Sequence, residues 1–125
     1  MKPTDSELEI LRLLWKKGPS TVRVINDAVS EKRDVGYTTT LKIMQIMHEK
    51  GLLQREKEGK THIYSPAITE ENTQRELSRN LLDAAFGGSA KRLVMSVLGS
   101  SKADASELKE IRAYLDKLDK TQNDG

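Results

Sequence analysis

The sequence predicts a mainly α-helical protein with one small β-hairpin, built as an N-terminal winged helix-turn-helix followed by a C-terminal helical dimerisation region. Three amphipathic helical patterns run in succession up to residue 50, a basic hairpin pattern follows, and three further helical patterns begin after residue 68. In a winged helix-turn-helix the third helix enters the major groove of DNA and the hairpin, or wing, lies along the backbone. We place the winged helix at residues 1–67, the dimerisation region at 68–120 and a disordered tail at 121–125.

The composition excludes several other classes of protein. The 125 residues include no cysteine, and His48 and His62 alone make a poor metal set, so we expect no metal and no cofactor. An aromatic content of 4% leaves little for stacking on single-stranded nucleic acid. The chain lacks an apolar run of about 20 residues and begins without the apolar segment of a secretion signal. We therefore expect a cytoplasmic protein without membrane insertion.

The net charge of +2 is too small to identify a partner. Residues 1–66 hold 12 Lys and Arg against 9 Asp and Glu, whereas residues 67–125 hold 9 against 10. A basic patch for nucleic acid usually stands out more strongly than this. The order of the elements is therefore more informative than the charge.

The first two helices have recognisable boundaries. Thr4 to Glu7 has the Thr-x-x-Glu form of a capping box, and the first helix ends at Gly18-Pro19. Its apolar face consists of Leu8, Leu11, Leu14 and Trp15. Ser20 or Thr21 begins the second helix. The buried stripe of that helix consists of Val22, Ile25, Ala28 and Val29.

The third helix lies between Gly36 and Leu53 and has both a core face and an exposed face. Thr38 or Thr39 can cap its start, and it stops at Lys50-Gly51, where glycine suits a left-handed exit. The core face consists of Thr40, Ile43, Met44, Met47 and Leu52. The place of Ile46 is left open between half-buried core and a contact to DNA, the wing or a partner.

The exposed side of the third helix and the wing hold the candidate DNA contacts. The wing is predicted as Leu53–Lys57 and Thr61–Ser65 around a glycine turn. Lys42 can donate to a base edge or a phosphate, and the threonines can reach phosphate oxygens or thymine methyl groups. The alternatives are simple helix capping for the threonines and a solvated hairpin for the wing charges. The predicted DNA-binding set is Tyr37, Thr38, Thr39, Lys42, Gln45, Arg55, Lys57 and Lys60.

After residue 68 the pattern changes to helices with long apolar stripes. A fourth helix begins at Thr69, a fifth begins at Ser89, a loop covers residues 99–102, and Asp104 or Ser106 caps the last helix. Such helices would close a poor core alone, so we predict that they pair with the same segment of a second chain. The alternative is a helical cap folded back onto the winged helix. The predicted dimer contacts are Leu81, Leu82, Leu93, Val94, Val97, Leu108, Ile111, Leu115 and Leu118.

Together these features resemble the BlaI/MecI family of bacterial repressors, the penicillinase repressors, over nearly the full length. The resemblance rests on the Glu-x-x-Ile-Leu-x-x-Leu-Trp arrangement from Glu7 to Trp15, on Tyr37-Thr38-Thr39, on Lys50-Gly51-Leu52-Leu53 and on Phe86-Gly87-Gly88-Ser89. It implies a homodimer whose winged helices bind a palindromic operator in double-stranded DNA and so repress transcription. Two-fold symmetry would place the two recognition helices about 34 Å apart, or a multiple of that distance.

The chain departs from the family pattern at three points. In antibiotic-responsive members a membrane sensor triggers cleavage of the repressor, commonly at an Asn-Phe bond, and the aligned pair here is Ser96-Val97. Valine offers less apolar contact to a protease pocket built for an aromatic side chain. Copper-responsive relatives carry cysteine pairs, which this chain lacks. Where the family often has arginine in the third helix, this chain has Ile46, which cannot donate to phosphate or guanine.

A second class of function fits the same elements. A winged helix can serve a protein partner, in which case its basic residues only keep the surface solvated and no DNA sequence is recognised. A gel shift with the promoter DNA of the protein's own gene separates the two functions, because specific binding that weakens as salt rises is expected only of a DNA-binding protein. The sequence offers no nucleophile with a base, no glycine-rich phosphate loop and no ligand cluster at a meaningful spacing. We therefore predict that the protein is not an enzyme.

Overall fold

The computed structural model describes residues 2–100 and 103–124, and it confirms the mainly helical fold with a hairpin after three helices. The elements are α1 (Asp5–Lys17), α2 (Val22–Ser30), α3 (Tyr37–Glu49), β1 (Leu53–Glu58), β2 (Thr61–Pro66), α4 (Glu70–Phe86), α5 (Ala90–Ser100) and α6 (Ala105–Asp124). The chain divides into an N-terminal unit, Met1–Arg79, and a C-terminal unit, Asn80–Gly125. The division falls inside α4, whereas the sequence prediction placed it before that helix.

Local capping explains where α1 and α2 begin. The backbone N–H of Glu7 donates to Thr4 Oγ1 at 3.2 Å, and the backbone N–H of Thr4 donates to Glu7 Oε1 at 2.9 Å. This is the predicted capping box, and it satisfies two amide groups that a helix start otherwise leaves unpaired. The side chain of Thr21 caps α2 by accepting from the backbone N–H of Val24 at 3.2 Å.

The core of the N-terminal unit lies where α1, α2, α3 and the hairpin meet. Its buried apolar residues are Ile10, Leu11, Leu14, Val22, Ile25, Val29, Met44, Met47, Leu52, Leu53 and Tyr64. The predicted stripes of all three helices supply most of this set, whereas Ile10, Leu53 and Tyr64 were not predicted to be core residues. Trp15 packs at its edge and donates from Nε1 to the Ile68 carbonyl at 3.0 Å. Burial of each large aliphatic side chain is worth about 1.5–3 kcal/mol.

The hairpin is fixed to the helices by a third short strand segment. Strands β1 and β2 pair antiparallel from Leu53 opposite Pro66 to Glu58 opposite Thr61. Gly59 has φ 64°, the glycine that a type II′ turn needs at its first central position. Ser20 and Tyr64 exchange two backbone hydrogen bonds at 2.9 and 2.8 Å. The segment before α2 therefore sets the position of the wing.

The C-terminal unit contains the end of α4 and all of α5 and α6. Ser89 caps α5 by accepting from the Arg92 N–H at 3.2 Å, and Asp104 caps α6 by accepting from the Glu107 N–H at 2.8 Å. Helix α5 extends to Ser100, into the predicted loop, whose Ser101 and Lys102 lie outside the described residues. Helix α6 continues to Asp124, past residue 120, where the sequence predicted that the helical region ends.

None of the described residues from 80 to 123 is fully buried. As far as its described residues show, the C-terminal unit of a single chain therefore lacks a buried core, in contrast to the N-terminal unit. In the described part of the chain no helix is long and apolar enough to cross a membrane.

Candidate nucleic-acid interface

Helix α3 starts earlier than its threonines suggested. Gly36 is the N-cap residue, and no side chain among the described residues caps the helix start. The prediction that Thr38 or Thr39 caps α3 is therefore wrong, because the helix already begins at Tyr37. Both threonine side chains lie in the first turn and are exposed, which leaves their hydroxyl and methyl groups free of a capping role.

The two faces of α3 are cleanly separated. Thr40, Met44 and Met47 are buried against the core, and Ile43 packs beside them. The opposite side consists of exposed residues, and it includes the predicted contacts of this helix: Thr38, Thr39, Lys42, Gln45. Short side chains near the start of the helix allow a close approach, and Lys42 and Gln45 supply donors that can reach a base edge.

A buried polar contact fixes α3 against α2. Asn26 Nδ2 donates to Thr40 Oγ1 at 2.8 Å and to the Val35 carbonyl at 2.9 Å, so both amide hydrogens have an acceptor. Asn26 and Thr40 are both buried. Ser30 Oγ donates to the same Val35 carbonyl at 3.0 Å. The loop before α3 and the first turn of α3 are therefore held in one position relative to α2.

The other end of α3 is fixed by a glycine turn and an ion pair. Gly51 has φ 83°, and the Leu52 N–H donates to the Met47 carbonyl at 2.9 Å, as in a Schellman motif. Lys50 Nζ donates to Glu7 Oε2 at 2.8 Å. Burial, the largest single effect, raises the pKa of the Glu7 carboxyl, but hydrogen bonds from Lys50 and Thr4 together with the Lys50 charge outweigh it. The net pKa of Glu7 is lowered.

The hairpin separates its charges by face. Arg55 and Lys57 are two residues apart on β1 and therefore project from the same side of the strand, whereas Glu56 and Glu58 project from the other. Lys60 lies in the turn. All five of these residues are exposed. A strand that is nearly neutral in sequence thus presents a basic face, which the weak overall charge of the chain concealed.

Arg23 is a candidate contact that sequence reasoning missed. It lies on the exposed side of α2, with its guanidinium carbon 4.4 Å from the centre of the Tyr37 ring, a cation–π geometry. The two residues line a cavity of about 470 Å³ between α2, α3 and the hairpin, together with Thr21, Lys60 and His62. Two predicted contacts, Tyr37 and Lys60, thus line the same cavity as a second cation, Arg23. The only sequence signal was the position of Arg23 off the apolar stripe of α2.

The predicted dimer contacts fall into two groups in the C-terminal unit. Leu82, Leu93, Leu108 and Ile111 are half-buried within a single chain. The remaining members are exposed: Leu81, Val94, Val97, Leu115 and Leu118. Outside the predicted set, Met95 of α5 and Tyr114 of α6 are also exposed apolar residues.

Ser96 and Val97, the predicted cleavage pair, lie within α5. Both residues are exposed, and the Ser96 carbonyl accepts a hydrogen bond from Ser100 Oγ at 2.8 Å. A protease that binds an extended substrate would first have to unwind this part of α5.

The described residues contain no group of three or more His, Asp or Glu side chains placed to hold a metal ion. The arrangement of donors on α3, α2 and the hairpin instead offers positive charge and hydrogen-bond donors on an exposed surface. Such groups bind the phosphates and base edges of DNA.

Comparison with known proteins shows the family to which the chain is similar. The sequence profile of the penicillinase repressor family matches residues 3–117. The methicillin resistance regulatory protein MecI of Mammaliicoccus sciuri is 22% identical over 114 residues, which cover 91% of this chain and 93% of that protein. The penicillinase repressor of Bacillus licheniformis is 23% identical over 113 residues, covering 90% and 88%. The transcriptional regulator BlaI of Mycobacterium tuberculosis is 33% identical over 63 residues, covering 50% and 46%.

Proposed function

The chain belongs to the penicillinase repressor family of bacterial transcriptional repressors, which are not enzymes, and we propose that it acts as a homodimer on a palindromic operator. In this proposal α3 enters the major groove and the basic face of the wing lies along the phosphate backbone. The two-fold symmetry of the dimer matches the symmetry of the operator, so each α3 meets one half-site. A repressor of this kind would bind its operator in the cytoplasm.

The DNA-binding half of the proposal is supported by the exposed face of α3. The start of α3 is fixed by the hydrogen bond from Asn26 to Thr40, and its end is fixed by the ion pair between Lys50 and Glu7. A rigid scaffold therefore presents the outer face of this helix. Rigid presentation lowers the entropy lost on binding. Arg55, Lys57 and Lys60 add positive charge on the neighbouring hairpin, as does Arg23 on α2.

The dimer half of the proposal is supported by one observation, the absence of buried residues among the described positions 80–123. A helix with an apolar stripe is stable only when that stripe is covered. The exposed leucines and valines of α4, α5 and α6 recur at helical spacing, which suits pairing with the same helices of a second chain.

Gel shift with the promoter region of the protein's own gene tests DNA binding. We expect a specific complex whose association constant falls linearly with salt on a logarithmic scale, with a slope of about −0.9 for each phosphate contacted. Binding that is equal for promoter and unrelated DNA would overturn sequence-specific repression and favour the interaction-module alternative.

Sedimentation velocity tests the dimer. We expect a dimer at micromolar concentration and a shift to monomer in Leu118→Glu, because the new charge would be buried in the seam without a partner. Lys120→Glu is the matched control, since residue 120 lies on the opposite side of α6 by helical geometry. A wild-type monomer at tens of micromolar, or an unaltered dimer in Leu118→Glu, would contradict the proposed seam.

A further inference from the structure

One exposed apolar side chain interrupts the polar outer face of α3. Ile46 is 37% exposed, and it follows Lys42 by one helical turn and Thr39 by two turns. In the described part of the N-terminal unit the other exposed large apolar side chains are Val24 at 43% and Tyr37 at 38%. All three lie on α2 or α3. Ile46 is the one among them that shares the outer face of α3 with the proposed base contacts.

The chemistry of isoleucine limits what it can recognise in DNA. Its side chain has neither a donor nor an acceptor, and the C5-methyl group of thymine is the one methyl group that an unmodified base edge presents in the major groove. A cytosine amino group or a purine acceptor facing Ile46 would lose water without gaining a partner, which costs free energy. A β-branched side chain in a helix also has one strongly preferred rotamer, so little side-chain entropy remains to be lost on contact.

We infer that Ile46 is a specificity-determining residue that packs against the methyl group of one thymine in each half-site of the operator. The inference rests on the proposed function. Lys42, one turn earlier on the same face, would contact the same strand region through a donor, so that one stretch of α3 combines a polar and an apolar readout.

The test combines a protein substitution with removal of single methyl groups from the DNA. A preferred duplex is first selected from a random library with the full-length protein, and each thymine is then replaced in turn by deoxyuridine, which keeps the Watson–Crick pair. Fluorescence anisotropy gives the Kd of wild type and of Ile46→Ala for each duplex at fixed salt. Burial of one methyl group is worth about 0.8 kcal/mol, which corresponds to about a fourfold change in Kd.

We expect one thymine per half-site whose replacement weakens wild-type binding about fourfold and leaves Ile46→Ala unchanged within about twofold. Val24→Ala is the matched control, because it truncates an exposed aliphatic side chain on α2 and should respond to deoxyuridine as wild type does. Both substituted residues are exposed, so we expect both variants to fold as wild type does.

The outcomes distinguish the two proposals. If the selection yields a preferred sequence but no thymine shows an effect that disappears in Ile46→Ala, the assignment of Ile46 is overturned and the repressor proposal stands. The same holds if Val24→Ala abolishes the thymine effect equally well. If no preferred sequence emerges, sequence-specific DNA binding fails and the Ile46 inference fails with it.

Discussion

Lys50 Nζ donates to Glu7 Oε2 at 2.8 Å and so connects the end of α3 to the first turn of α1. The Glu7 side chain is 5% exposed and that of Lys50 is 32% exposed. The other oxygen of the same carboxylate accepts the backbone N–H of Thr4. One acidic side chain therefore completes the cap of α1 and holds the end of the proposed recognition helix.

This pair predicts a specific loss of stability in acid. The pKa of Glu7 is lowered from its ordinary value of 4.5, so the ionised carboxylate stabilises the fold above that value, and the contribution is lost as the pH falls through the folded-state pKa. We expect Glu7→Gln to reduce the free energy of unfolding by about 1–3 kcal/mol at neutral pH, because hydrogen bonds to a charged group are lost. Urea denaturation across about pH 3 to 6 measures both effects.

Glu76→Gln is the control for the acid effect, since Glu76 is an exposed glutamate of α4. We expect it to leave both the neutral stability and the pH dependence as in wild type. If Glu7→Gln loses stability on acidification as steeply as wild type does, the ion pair with Lys50 does not contribute in the way proposed.

The contact between Asn26 and Thr40 predicts coupled effects on stability. Thr40→Val keeps the shape of the side chain but removes the acceptor of the Asn26 amide, and Asn26→Ala removes the donor. We expect each single substitution to cost about 1–3 kcal/mol and the double mutant to lose less than their sum, because the second change removes a group that is already unpaired. Thermal unfolding of the four proteins gives the coupling energy.

Ser30→Ala is the control for this double-mutant cycle of Asn26 and Thr40. Ser30 donates to the same Val35 carbonyl as Asn26 does, but its bond is exposed, and we expect a loss within about 0.5 kcal/mol. Strict additivity of Asn26→Ala and Thr40→Val would mean that the buried bond does not fix α3 against α2.

Features that depend on neighbouring residues were predictable from the sequence. The end of α3 before Gly51, the capping box at Thr4 and the wing turn at Gly59 all follow from short-range backbone and side-chain chemistry. The start of α3 was mispredicted because three consecutive threonines resemble N-caps equally well. Gly36 is the N-cap instead. The residue before it, Val35, is held in place because its carbonyl accepts hydrogen bonds from the side chains of Asn26 and Ser30.

Features that join distant positions carried no sequence signal. Glu7 and Lys50 are separated by 43 residues, and the capping box alone gave no reason to expect the second partner. The stacking of Arg23 on Tyr37 depends on the angle between α2 and α3, which periodicity does not specify. The sequence left the position of Ile46 open between half-buried core and an outward contact, and only the 37% exposure of its side chain in the structure showed that it belongs to the outer face of α3.

Tyr64 predicts a substitution that should not harm the fold. Its ring is fully buried, and within the described part of the chain its hydroxyl has no hydrogen-bond partner. We expect Tyr64→Phe to leave the free energy of unfolding unchanged or to raise it by about 1 kcal/mol, because an unpaired buried hydroxyl is removed. Tyr64→Ala should cost about 3–5 kcal/mol through loss of the ring. A loss above about 1 kcal/mol in Tyr64→Phe, measured by urea denaturation, would show that the hydroxyl is bonded.

Lys42 and Lys57 should affect DNA binding in different ways, because one faces base edges in the proposal and the other faces the backbone. We expect Lys42→Ala to weaken binding to the preferred duplex by about 1–3 kcal/mol and to relax its sequence preference. Lys57→Ala should weaken binding to all duplexes alike and reduce the salt slope by about 0.9. Lys16→Ala removes an exposed lysine of α1 that belongs to neither α3 nor the wing, and this variant should bind as wild type does. Anisotropy titrations of preferred and scrambled duplexes at several salt concentrations separate these effects, and an unchanged preference in Lys42→Ala would remove that residue from the base contacts.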